Sequence, residues 1–466
     1  MNLNHLGKAL VGAGTVVKRS SRLGSMRLEI LNGRPAADVG SDTLGIFSRR
    51  VGQALATNIV MTIVGLASGL LAARMLGPQG RGHLAAIQCW PMLFAALAML
   101  GTPEAVVYYS SRNPDRAAEY LGTSRVIALI SGVAFLALGW LLMPSLLRSQ
   151  SLSTVWFARV YLFMIPLYAL IDLPRNALRT VGAWGTWNAL RLVHASLWLG
   201  VLVGGWVIPR LANPGALACL FLGLQAIFAA PHSLVISRYI PGSYTVAPDL
   251  RGPLVQFGIP TMATILPQTL NLRLDQLLMA SFLGPQPLGY YVVAVAWAGA
   301  ATPVFQAVGA VLFPHISAMP EPLLHHEFLK VFLYRVLMAV ACITILLLAL
   351  TPLAIRLLFG MEFRPSTPAA LILTIASGFS GLNLVLSAGL QGYGRPKSIL
   401  KAELLGLAVT SLSLAVLLPS LGIVGAALSS LCTYSSITVF MTTSFFRIHQ
   451  CNAGNIDISR NCIIHP

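Results

Sequence analysis

Five residues in the stretch 184–198, Trp184, Trp187, Arg191, His194 and Trp198, recur at steps of three, four, three and four. On a helix that spacing puts them in one stripe. Indole faces pack on sugar rings, and the planar fork of an arginine suits paired phosphate oxygens. A second reading stays open, in which Trp184 and Trp187 mark a membrane interface and Arg191 snorkels to it. Further along, Thr264, Gln268, Asn271 and Asp275 form another stripe at steps of four, three and four. Arg273 points away from it. Asp275 either carries a coupling proton, meets a basic residue across a cavity, or holds two helices in register as a buried ion pair. Asp172, Arg175 and Arg179 share a third face, as a funnel for an anion or as basic residues that set topology around one internal salt bridge. Glu104 with Arg112 reads as a gate or as a helix-end ion pair, and Arg159 as a snorkelling residue.

Other chemistry is missing from the sequence. There is no Gly-Lys-Ser/Thr phosphate loop, so the chain does not hydrolyse ATP itself. No nucleophile stands beside a base, and no enzyme is expected. The six cysteines, at 89, 219, 342, 432, 451 and 462, are scattered without metal-ligand spacing. His325 and His326 are adjacent, which on a helix turns them apart. No metal and no cofactor are expected.

The elements that must position these residues are membrane helices. Of 466 residues 56% are hydrophobic and 10% charged, with a mean hydropathy of +0.76. A soluble domain carries roughly a quarter charged residues. Twelve apolar spans are expected near 51–75, 82–102, 117–147, 153–178, 184–208, 214–237, 253–283, 286–316, 327–359, 367–391, 396–419 and 421–446. Each is long enough to cross hydrocarbon about 30 Å thick. A charged side chain inside such a span is costly, which makes each one a candidate for function. The net charge of +17 is spread between the spans instead of gathered in a patch, so nucleic acid is not expected as a partner. With a cytoplasmic N-terminus, 23 of the 31 Lys and Arg fall on the cytoplasmic side and six on the other. That imbalance predicts both termini inside. Residues 1–48 read as a basic cytoplasmic extension able to lie on anionic lipid; translation could also begin at Met26.

The tetrapeptide "LGPQ" occurs at 76–79 and again at 283–286, each followed by a glycine, Gly82 and Gly289. The two copies end the first and seventh spans, so they enter the membrane in the same direction. "ALRTVGAW" at 177–184 echoes "GLQGYGRP" at 389–396, with Leu178 matched to Leu390 and Gly182 to Gly394. A parallel repeat predicts an all-α polytopic protein of about twelve transmembrane helices in two six-helix lobes, related by a pseudo-two-fold axis along the membrane normal. The lobes are expected at 49–240 and 241–447, with a cytoplasmic tail at 448–466. The loop itself reads as a tight turn in which Gln satisfies freed backbone groups. Gly65 and Gly69 are expected to let another helix approach closely.

"ARMLGPQGRGHLAA", "NLRLDQLLMASFLGPQPLGYYVVA" and "LQGYGRPKS" make the chain, over 45–447, resemble the oligosaccharide flippases of the multidrug/oligosaccharidyl-lipid/polysaccharide (MOP) exporter superfamily. The resemblance implies export, by alternating access, of an undecaprenyl-diphosphate-linked oligosaccharide across a bacterial inner membrane. It implies as partners that lipid-linked substrate, membrane lipids, and a polymerase and other polysaccharide-assembly proteins. Arg191, Trp187, His194, Arg175, Arg179, Asn271 and Gln268 are then the candidates to line the substrate path, and Asp275, Arg273, Asp172 and Glu104 those for coupling and gating. A cation-coupled multidrug exporter of the same superfamily is the alternative. It would need deep carboxylates, for which the sequence offers only Asp275 and Asp172 beside many arginines. A membrane polymerase or glycosyltransferase stands behind both, because no inter-span loop is long enough for a catalytic domain.

Overall fold

A computed structural model describes residues 36–317 and 322–453. Most of the basic extension, Met26, the end of the C-terminal tail and the side chains of His325 and His326 lie outside what is described. The chain forms two compact units, Met1–Ala54 and Leu55–Pro466; the helix Ala36–Ala98 begins in the first, and the account below concerns the second.

Every regular element among the described residues is helical. Among the described residues nine stretches are long and apolar enough to cross a membrane, and two of them, Ala56–Arg112 and Pro396–Phe445, are bent at Gly77 and Gly422 and long enough for two crossings each. The seventh span is not among the nine. It is broken into Pro248–Asn271 and Leu274–Phe282 and carries Asp249, Arg251, Arg273 and Asp275. It completes the twelve.

The inside-out distribution of polarity is that of a bundle in lipid. Leu141, Leu412, Val416 and Ile227 face outward, while Asn188, Gln225, His232, Asn271, Asp275 and Glu403 are buried. Exposed leucine costs nothing in hydrocarbon, whereas a polar group there must find a partner within the protein. Proline near the first turn opens the sixth, seventh and eighth spans, where its missing N–H is no loss. Asn213 Oδ1 caps the sixth by accepting from Gly215 N at 2.9 Å.

The second span differs from its expected end near residue 102. The helix breaks at Leu100 and Gly101, both left-handed (φ 48° and 68°), and resumes as Thr102–Arg112 with a proline in its first turn. Glycine at 101 adopts this conformation without the cost a Cβ would bring.

Both echoes of the repeat have a structural basis. Gly182 and Gly394 adopt the same left-handed conformation (φ 67° and 68°). Gly182 N bonds Arg179 O and Ala183 N bonds Leu178 O; 212 residues later Gly394 N bonds Gln391 O and Arg395 N bonds Leu390 O. The two helix ends thus close with one and the same turn. The LGPQ loops meet each other. A Cβ at Gly82 would lie 1.6 Å from the Pro285 carbonyl oxygen, and one at Gly289 would lie 1.9 Å from that of Pro78. Each partner is the other's counterpart 207 residues on, so the pseudo-two-fold axis passes through this contact.

Two expectations about small residues change. Nothing lies within 4 Å of a Cβ built at Gly65, and only Ala296 Cβ, at 3.9 Å, approaches one at Gly69; close approach occurs at other glycines instead, Gly82 and Gly289 among them. The glutamine that satisfies freed carbonyls at the second LGPQ loop is not its own. Gln150, after the third span, donates to Ala280 O at 3.0 Å and Leu283 O at 2.9 Å. Gln286 instead donates to the Tyr290 hydroxyl. At the related position Arg74 donates to the carbonyls of Leu357 and Leu358.

On the opposite face a Cβ at Gly101 would lie 2.1 Å from Gly258 O, and one at Gly258 would lie 2.4 Å from Leu100 O. Tyr108 stacks on Phe257 at 4.4 Å, and Arg116 bridges Glu119 at 2.7 Å and Asp249 at 2.9 Å. Leu250 and Leu254, at the start of the seventh span, are buried in a cluster with Val106, Leu121 and Leu173. The loop before them is tied down by Ala247 N donating to Thr123 Oγ1 at 3.0 Å. Burial pushes the Tyr244 phenol of that loop up, against the opposing pull of Arg125. The two halves thus touch at both ends of the second span.

Candidate functional site

The fourth, fifth and sixth spans bring two of the expected stripes to a single place. Asp172 and Arg175, one turn apart, form an ion pair, and Asn176 Nδ2 donates to the other carboxylate oxygen at 3.0 Å. Together with His194, Gln225, Tyr168 and Ile171 they line an enclosed cavity of about 30 Å³, room for about one water molecule. Gln225 Nε2 lies 2.7 Å from His194 Nδ1. Arg191 stands beside this cavity with its guanidinium 4.5 Å over the Trp187 ring. Its partners are neutral: Asn58 Oδ1 at 2.9 Å and Asn188 Oδ1 at 3.4 Å.

Donors exceed acceptors here. Arg175 Nε, His232 Nε2, Trp187 Nε1 and Asn188 Nδ2 are buried without a hydrogen-bond partner, and the described interior around them holds one carboxylate, Asp172. Buried N–H groups left unpaired are costly, and water in the adjoining cavity is one source of the acceptors they lack.

Three contributors were missed in the sequence. Gln225 and His232 lie seven residues apart in an otherwise apolar run, a spacing that puts both on one helical face, and Asn58 is a lone amide in the first span. Their polarity was the available signal. Arg179 reaches Glu104 at 3.2 Å across to the second span. That corrects the expected Glu104–Arg112 pairing, since Arg112 lies over the Tyr108 ring at 3.8 Å instead. Arg159 donates to Trp140 O at 3.1 Å and sits over that ring.

The stripe of the seventh span divides. Thr264 and Gln268 are exposed, whereas Asn271 and Asp275 are buried; the helix breaks at Leu272 and Arg273, between those last two. Asn271 Nδ2 donates to Glu403 O and Oε2, both at 2.9 Å, and its Oδ1 accepts from Thr410 at 3.2 Å. Asp275 accepts from the Tyr291 hydroxyl, from Gln276 N at 2.6 Å and from Ser430 at 3.3 Å. Among the described residues it makes no ion pair. Glu403, buried at 7% exposure, adds a deep carboxylate that the sequence reading assigned to no site. It stands seven residues past Pro396, two turns inside the eleventh span, while Lys397 and Lys401 beside it gave it the look of a helix end. Arg273 is exposed at the break, within electrostatic reach of Cys89 and Tyr168 of the other half. Among the described residues Cys89, Cys219, Cys342 and Cys432 are free and no metal-binding group of three ligands occurs.

Residues 49–319, more than half of the chain, match the family described as polysaccharide biosynthesis protein. The chain belongs to that family. A stretch of 138 residues is 32% identical to an uncharacterised membrane protein of Methanocaldococcus jannaschii, over 29% of this chain. The match spans 27% of that relative, about a quarter of its length. Among solved structures the family member is similar to the lipid II flippase MurJ in an inward closed conformation, with a TM-score of 0.69 and 14% identity over 84% of this chain and 87% of that one. It is also similar to an inward-facing multidrug resistance MATE family transporter of the MOP superfamily, with a TM-score of 0.66 and 16% identity over 85% and 96%. A third is the MATE multidrug transporter DinF-BH, at 0.57 and 16% over 86% and 94%. At such identities the likeness is one of fold. This polysaccharide biosynthesis family member is a multi-pass membrane protein with the MOP transporter fold.

Proposed function

We propose that the protein is a flippase that exports undecaprenyl-diphosphate-linked oligosaccharide repeat units across a bacterial inner membrane, with both termini cytoplasmic, for assembly of surface polysaccharide. The observation that carries this reading is the site between the fourth, fifth and sixth spans. Arg191 has no carboxylate partner there, and the unpaired N–H groups around it suit phosphate oxygens. The lobes at 49–240 and 241–447 open inward, Arg175 and Arg191 take the diphosphate with Arg273 facing them, and the glycan fills the cleft. The lipid tail stays in the bilayer between the lobes. The breaks at Leu272–Arg273 and the prolines of the seventh span let it bend as the lobes rock outward. Asp275, with Glu403 beside Asn271, is the candidate for coupling to a cation or to membrane potential.

Those two carboxylates also favour the second reading, a cation-coupled multidrug exporter. The deciding experiment measures lipid-linked oligosaccharide and surface polysaccharide in cells depleted of the protein and in cells carrying Arg191→Ala. Cytoplasm-facing glycolipid that accumulates while surface polysaccharide disappears supports the flippase. Unchanged glycolipid with altered dye efflux removes it in favour of drug export.

A further inference from the structure

The second span touches the other half of the chain at both of its ends, and each touch is a crossing of two glycines. Near the LGPQ loops Gly82 meets Gly289; at the break below, Gly101 meets Gly258. In all four cases the atom that a Cβ would strike is a backbone carbonyl oxygen, 1.6 to 2.4 Å away. A rotamer change cannot relieve such a clash, so one added carbon has to move a helix.

We propose that these two crossings are the gates of the transport cycle, Gly82 with Gly289 closing the LGPQ face and Gly101 with Gly258 closing the opposite face, each parting while the other holds. This rests on the transport reading above and names the contacts that do the closing. The two gates are reinforced differently. The first is bound by side chains that reach backbone carbonyls of the other half, from Gln150 and Arg74. The second is bound by the Tyr108–Phe257 stack and the Arg116–Asp249 ion pair. With both gates shut, the structure is that of an occluded intermediate. Cys89 lies on the second span between the two crossings, half-buried and within reach of Arg273, a native reporter for either gate.

The test uses the full chain with every cysteine except Cys89 replaced, probed with a membrane-impermeant maleimide on intact cells and on inside-out vesicles. Gly82→Val is expected to raise labelling of Cys89 several-fold from the LGPQ face alone. Gly258→Val, at a helical position where no backbone strain is added, is expected to raise it from the opposite face alone. Gln150→Ala and Arg116→Ala remove reinforcement without adding bulk, so they shift labelling the same two ways by smaller factors and serve if the valine variants are absent from the membrane. Unchanged labelling in the variants that reach the membrane, or equal labelling from both faces, overturns the assignment. Glycolipid is measured in the same cells. Labelling that shifts as stated while lipid-linked oligosaccharide never accumulates leaves the gates standing and removes the cargo; accumulation with unmoved labelling does the reverse.

Discussion

Around the fourth to sixth spans the interior holds Arg175, Arg191, His194 and His232 against the carboxylate of Asp172, with an enclosed cavity and unpaired N–H groups. Around the seventh, eleventh and twelfth spans it holds Asp275, met by the hydroxyls of Tyr291 and Ser430, and Glu403, met by Asn271, which in turn accepts from Thr410 beside Thr433. Every described Lys and Arg of that second half is exposed. One backbone repeat therefore carries two kinds of interior. The first has spare donors and space for water; in the second the buried acceptors are met by protein. In the proposed cycle the first interior takes an anion, and the second responds to gain or loss of one small cation.

That contrast can be broken by experiment. Tyr291→Phe is nearly isosteric and leaves the buried Asp275 carboxylate short of a hydroxyl donor, so it should cost about 3 kcal/mol, read as a lowered unfolding midpoint in detergent. Arg191→Ala should cut export of lipid-linked oligosaccharide about tenfold, the value of one charge-assisted contact, with Arg191→Lys recovering part of it; full activity in Arg191→Ala would detach the basic interior from cargo. Gln225→Leu takes the partner from His194, but water in the adjoining cavity can replace it, so a loss of only about 1 kcal/mol is expected. Equal costs for Tyr291→Phe and Gln225→Leu would erase the distinction between wet and filled interiors. Arg179→Ala, which breaks a half-exposed pair with Glu104, should change stability by about 0.5 kcal/mol or less.

The twelve spans were legible because apolar length and Gly/Pro punctuation are local properties of the chain. The basic site was legible in part: Arg175, Arg191 and His194 announce themselves as ions in hydrocarbon, and helical spacing put the latter two on one face. That the two stripes converge was not, because it depends on how the fourth and fifth spans pack. The different surroundings of Asn271 and Asp275 were not legible, since a stripe drawn on an unbroken helix does not continue across the break at Leu272 and Arg273. Glu403 was hidden by its basic neighbours. The meeting of Gly82 with Gly289 lay in plain sight as a repeated loop, yet nothing in one copy says that its partner is the other.

That meeting has a consequence of its own. A contact in which Gly82 faces Pro285 and Gly289 faces Pro78 is isologous, the kind formed when identical subunits pair about a two-fold axis. The protein is organised as a dimer written on one chain. At the axis the two copies are each other's partner and share one tetrapeptide. Away from the axis the two copies differ, one with a basic interior and the other with an acidic one.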